Sequence, residues 1–201
     1  MSVTVTKTKI GSGVEGFDSL LGGGFPKGRS YLISGEPGTG KTIFTLQFLL
    51  EGLKNNERCL YISIDEPPDH VIEDALSLGW DLSEYLNANQ LQFLDISDFF
   101  SCNKEADVSV ENVVKTILDF VKDHSITRLA IDPIAPLIFT HHIKSEIIHY
   151  VRQLIFELEQ LRTCTTLMTS YIPVGSDQLS QLGIEEFAAS GIILLKLKKH
   201  N

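Results

Sequence analysis

Residues Gly35 to Thr42 read GEPGTGKT and stand between an apolar, β-branched run, SYLIS (30–34), and a segment, 41–54, that carries Ile43, Leu46, Leu49, Leu50 and Leu53 at helical spacing. The spacing Gly35-x-x-x-x-Gly40-Lys41-Thr42 is a full P-loop pattern, set where the pattern has a mechanism, directly after a strand and at the head of a helix. Glycines 35, 38 and 40 let the backbone turn back so that successive N–H groups point inward, and the first turn of the helix adds unpaired donors and its dipole. Such a cradle takes the phosphates of a nucleotide. The candidate binding residues are Gly35, Glu36, Pro37, Gly38, Thr39, Gly40, Lys41, Thr42 and Ile43. Lys41 is expected to reach the β- and γ-phosphates, and the Thr42 hydroxyl to join the coordination of Mg2+.

The rest of the chain repeats the alternation of strand and helix. Strand-like runs occur at 59–64 (CLYISI), 91–95 (LQFLD), 128–132 (RLAID), 165–171 (TTLMTSY) and 191–198 (GIILLKLK), and helical patterns at 69–78, 108–121 and 143–162. Strands alternating with helices of this length predict a parallel sheet covered on both faces, and LYISI and LAID are nearly continuous apolar runs, as doubly covered strands are. The expected fold is therefore a three-layer α/β domain with a mostly parallel central sheet, spanning residues 1–201 as one unit. Two polar stretches interrupt the pattern. Residues 95–109 read as a surface connection, and 172–183 as a solvated connector or a mobile loop facing a ligand.

Magnesium also needs a carboxylate at the end of a neighbouring strand. RLAIDP offers Asp132, and although a lone Asp at a strand end is most often a turn residue, a P-loop in the same sheet makes it the metal candidate. Hydrolysis would further require a group to orient or deprotonate water. Asp65 and Glu66 close the run CLYISI and precede Pro67 and Pro68, which stop the strand at the edge where α/β sheets bind ligands. Alternation along a strand sends the two carboxylates to opposite sides, so one of them is expected to face the phosphate.

Composition narrows the partners. A formal net charge of −9 repels polyanions, and the one basic run, KLKKH, lies near the end, so a nucleic-acid partner is disfavoured. No segment has the apolar length to cross a bilayer, and the polar start MSVTVTKTKI lacks the core of a signal peptide, which predicts a cytoplasmic location. Cys59, Cys102 and Cys164 are far apart and read as reduced, mostly buried thiols. His142, Glu146 and His149 share one helix face, a metal half-site for which no fourth ligand is evident.

Taken together, three separated stretches resemble the KaiC-like branch of the RecA superfamily of ATPases. They are GVEGFDSLLGGGFPKGRSYLISGEPGTGKTIFTLQFLLEGL, LYISIDEPPDHVIEDALSLGWDL and LGIEEFAASGIILLK. The resemblance implies a RecA-like core that binds ATP, as a homo-oligomer, usually a hexameric ring with the nucleotide between subunits, acting on a protein signalling partner. It also implies that the first carboxylate of the pair activates water and that Ser77 stands near the base or ribose. Here that first place is held by Asp65, one methylene shorter than the family's usual glutamate, with Glu66 second; a displacement of about 1 Å can cost a large factor in rate, so slow hydrolysis to ADP and phosphate is expected. A second departure points the same way. The family's Lys-x-Arg hairpin would follow IILL, whereas this sequence ends at LLKLKKHN, as though the hairpin were truncated, with Lys196 and Lys198 as the available substitutes. A third, Thr169-Ser170-Tyr171 in place of a Thr-Thr-Glu-like cluster, bears instead on signal passing from the γ-phosphate to the loop at 172–183, which it weakens. The sequence supports no autokinase activity. A nucleotide-switched scaffold with negligible turnover, and less so a DNA-handling ATPase, stand as rivals.

Overall fold

The computed structural model describes residues 8–96, 110–134, 144–176, 178–180 and 189–198. Its elements are β1 (Lys9–Ile10), α1 (Phe17–Leu20), β2 (Phe25–Pro26), β3 (Ser30–Gly35), α2 (Lys41–Lys54), β4 (Cys59–Ser63), α3 (Pro68–Ser77), α4 (Ser83–Asn87), β5 (Leu91–Asp95), α5 (Val110–Asp123), β6 (Arg128–Asp132), α6 (Lys144–Gln160), β7 (Thr165–Tyr171) and β8 (Gly191–Leu195). Six strands form one sheet in the order β5-β4-β6-β7-β3-β8, and all five pairings are parallel, so the expected mostly parallel sheet is wholly parallel among the described residues.

Parallel pairing follows from burial on both faces. Successive residues of each central strand feed opposite layers: Leu32, Leu60, Ile62, Leu129, Ile131 and Met168 pack with Val113, Ile117 and Val121 of α5 and Leu154 and Leu158 of α6. Their neighbours Tyr31, Ile33, Tyr61, Ala130 and Leu167 pack with Phe44, Phe48, Leu49 and Leu53 of α2 and with Val71 and Ala75 of α3. This is the RecA-like three-layer arrangement expected from the sequence. Cys59 and Cys164 are free and buried, as expected, and Cys102 lies outside the described residues.

Several boundaries shift. β4 stops at Ser63 and β8 at Leu195, so Ile64 and residues 196–198 are not strand; Leu76 of α3 is 59% exposed. The antiparallel pair β1–β2 and the short helix α4 are additions to the sequence reading. Of the two polar stretches, residues 97–109, 177 and 181–183 lie outside the described residues.

β3 and β4 follow one another along the chain, yet β6 and β7 lie between them in the sheet. That insertion creates a crevice at the carboxyl edge, where α/β sheets bind ligands. The register gathers Gly35, Tyr171 and Leu195 at neighbouring positions of that edge, and Ser63 beside Asp132.

Candidate functional site

The loop after β3 is shaped by backbone that side chains would obstruct. A Cβ on Gly35 would stand 2.5 Å from Thr39 Oγ1 and 2.7 Å from the Leu195 carbonyl oxygen, and Gly40 adopts φ 89°, open to glycine at little cost. Thr39 closes the turn by donating its hydroxyl to the Glu36 carbonyl at 2.8 Å. Helix α2 then starts at Lys41 with no side-chain cap, which leaves the first-turn N–H groups available to an anion.

Lys41 is buried, at 6% exposure, and donates from Nζ to the carbonyls of Gly35 at 3.0 Å and Glu36 at 2.9 Å. Its ammonium also lies over the Tyr171 ring, 4.6 Å from the centroid. Burial lowers the Lys41 pKa, and the Asp132 carboxylate opposes that shift.

Asp132 ends β6 and is held at both oxygens. The Tyr61 hydroxyl donates to Oδ2 at 2.6 Å and the Thr169 hydroxyl to Oδ1. Burial first, then the Asp132 charge, holds the Tyr61 phenol well above its ordinary pKa. Asp65 and Glu66 are not strand residues. Because β4 ends at Ser63, whose hydroxyl donates to the Glu66 carbonyl, the alternation argument for their facing does not apply. Partial burial and then the Asp132 carboxylate raise the Asp65 pKa. Tyr171 is raised by burial first and then by Asp132, Asp65 and Glu66, so the three carboxylates converge electrostatically on the ring that also meets Lys41. The Glu66 side chain is turned toward His70, at 3.7 Å.

A cleft of about 510 Å3 brings together Pro37, Gly38, Gly40, Lys41, Thr42 and Ile43 with Asp74, Ser77 and Leu78 of α3 and with Tyr171. Ser77 thus shares one cavity with the loop, its hydroxyl donating to the Asp74 carbonyl at 2.7 Å. Ile43, at 42% exposure, serves the cleft and not the core. Glu36 goes elsewhere. It lines a separate cavity of about 230 Å3 with Leu195 and Lys196, and its carboxylate accepts from the Gly175 N–H at 3.3 Å. Lys196 and Lys198 lie beyond the end of β8, so they do not share a strand face. His142 and the side chain of Glu146 lie outside the described residues, so the half-site with His149 cannot be assembled.

The donors near the loop are hard oxygens, the Thr42 hydroxyl and the Asp132 carboxylate, which suit Mg2+. Among the described residues no group of three or more His, Cys, Asp or Glu could hold a metal by itself. Sequence reasoning missed Tyr61, and missed that Thr169 shares with it the task of holding Asp132. The signal was a hydroxyl in an otherwise apolar, doubly covered strand, where a buried phenol needs a partner.

Residues 10–201 match the family described as ATPase: KaiC. The chain is 32% identical over 190 residues to the circadian clock oscillator protein KaiC of Thermostichus vulcanus, covering 94% of this chain and 36% of that protein. It is 34% identical over 200 residues to the protein of the same name from Prochlorococcus marinus subsp. pastoris, covering 97% and 38%, and 30% identical over 190 residues to the circadian clock oscillator protein KaiC 1 of Synechocystis, covering 94% and 36%. The chain therefore spans little more than a third of the length of these relatives, and no helix among its described residues is long and apolar enough to cross a membrane. By the family match and by these identities over nearly its whole length, the chain belongs to the KaiC family of ATPases.

Proposed function

We propose that this chain, acting as one domain, binds ATP with Mg2+ and hydrolyses it slowly to ADP and phosphate, as part of an oligomer that signals or keeps time through a protein partner in the cytoplasm. The observation that carries the reading is the buried Lys41 ammonium lining a cleft with Pro37, Gly38, Gly40, Thr42, Ile43 and Ser77, within the field of the Asp132 carboxylate. In this reading the backbone of Gly35 to Thr42 and the first turn at Ile43 hold the phosphates, and Lys41 turns from the Gly35 and Glu36 carbonyls to the β- and γ-phosphates. Ser77 meets the ribose or base. Thr42 and Asp132 hold Mg2+, which neutralises charge on the phosphate oxygens. Asp65, with Glu66 behind it, orients the attacking water and accepts its proton; a carboxylate whose pKa is raised is a better base for that step. The names of the relatives, circadian clock oscillator proteins, support the timing role.

Release of γ-phosphate from ATP by wild type and by Asp65→Ala tests the enzymatic reading. Turnover above background in wild type and its loss in the variant are expected; equal background rates in both would leave the scaffold. One observation favours that second reading. The segment after β7 is fastened to the phosphate loop, through Gly175 N–H to the Glu36 carboxylate and Ile172 N–H to the Gly35 carbonyl at 3.1 Å, so phosphate capture would rearrange a surface loop without any turnover. Molecular mass in solution with and without ATP separates a nucleotide-assembled oligomer from a monomer.

A further inference from the structure

Tyr61 occupies an interior position of β4 at 1% exposure, where a phenylalanine would pack as well and would bury no hydroxyl. Its ring is held against Phe93, 5.3 Å between centroids. Burying a hydroxyl costs free energy unless it is hydrogen-bonded, and this one points along the sheet, diagonally across to β6, where it donates to Asp132 Oδ2 at 2.6 Å. Two hydroxyls from neighbouring strands, Tyr61 of β4 and Thr169 of β7, therefore hold the two oxygens of Asp132 on β6. Below the first turn of α2, the fully buried Thr45 donates its hydroxyl to the Thr42 carbonyl at 2.8 Å.

Asp132 and Thr42 are the residues assigned above to the metal. A carboxylate that accepts one hydrogen bond at each oxygen has its plane fixed, yet each oxygen keeps a lone pair for a cation or its bound water. We propose that Tyr61 is a positioning residue, which fixes the Asp132 carboxylate relative to Thr42 and thereby sets the affinity of the nucleotide complex for Mg2+. The inference rests on the ATP–Mg2+ reading of the site.

The test is binding of a fluorescent ATP analogue to wild type and Tyr61→Phe, first in EDTA and then across a Mg2+ titration. Outer partners of metal ligands typically contribute one to two powers of ten in metal affinity, so the Mg2+ midpoint of the variant should rise about tenfold or more while binding in EDTA stays within about twofold. A merely structural role for the phenol would weaken both together, and that result, or an unchanged midpoint, overturns the proposal. If Tyr61→Phe does not fold, Tyr61→Met decides, because it removes the same donor to Asp132 Oδ2. A raised midpoint supports the proposal and a wild-type midpoint overturns it. Failure of wild type to bind the nucleotide with or without Mg2+ would remove the reading of the site itself, whereas binding that responds to Mg2+ in wild type with an unshifted variant removes only the role of Tyr61.

Discussion

Lys41 Nζ lies 4.6 Å from the centre of the Tyr171 ring while donating to the Gly35 and Glu36 carbonyls at 3.0 and 2.9 Å, so the ammonium is satisfied with no phosphate present. Phosphate capture must exchange these contacts for new ones. A cation–π contact contributes about 0.5–1 kcal/mol where solvent still reaches it, which corresponds to about two- to fivefold in affinity. Tyr171→Leu is therefore expected to tighten ADP binding by about that factor, and Tyr171→Phe, which keeps the ring face, to leave it unchanged. Calorimetric titration of the three proteins decides it, and weaker binding in Tyr171→Leu would mean that the ring supports the phosphate and does not compete for the lysine.

Asp65 makes the stability of the empty site depend on pH. Partial burial and the Asp132 charge raise its pKa above the ordinary 3.8, so between 3.8 and the raised value the folded chain binds more protons than the unfolded one. Stability consequently falls as pH rises through that window, and the deficit persists at neutral pH. Asp65→Asn should melt higher than wild type at pH 7, with the gain disappearing well below the ordinary carboxyl range. A variant that melted lower at pH 7 would show that the Asp65 carboxylate is stabilised in place by contacts stronger than its burial.

The fold was legible because a doubly covered strand must be apolar on both faces, which makes β3, β4, β6 and β7 stand out as continuous runs. The phosphate loop was legible because its chemistry needs glycines and a lysine at fixed spacing, and Asp132 because it ends such a run. What stayed hidden depends on strand order. Tyr61 meets Asp132 only because β6 lies next to β4, a neighbour that chain order does not give. Glu36 sits inside the motif, yet its side chain leaves the cleft for Gly175, because backbone and not side chains forms the cradle. The alternation argument for Asp65 and Glu66 lapses for a local reason: the Ser63 hydroxyl bonds the Glu66 carbonyl and turns the chain out of the strand before either carboxylate.

Arg128 was the largest omission in the core, since a charge opening RLAID reads as a strand-end cation in water. At 1% exposure it instead donates from Nη1 to the carbonyls of Gly11 and Phe48, both at 2.8 Å, and from Nη2 to the Glu57 carboxylate at 2.8 Å, with its guanidinium 4.7 Å from the centre of the Phe48 ring. One side chain thus ties the N-terminal segment, α2 and the turn before β4 to the start of β6. Arg128→Met keeps much of the volume and leaves two carbonyls and a carboxylate without their donor. Removing one partner of a buried pair costs about 3–5 kcal/mol, and because the Glu57 side chain is 21% exposed and can regain water, the lower end, about 3 kcal/mol, is expected. For a chain of this size that corresponds to a fall in Tm of about 6–12 °C. Glu57→Gln in the Arg128→Met background should return part of the loss, because it removes the orphaned charge; additive losses in the double variant would mean that the carbonyl contacts, and not the ion pair, carry the stabilisation.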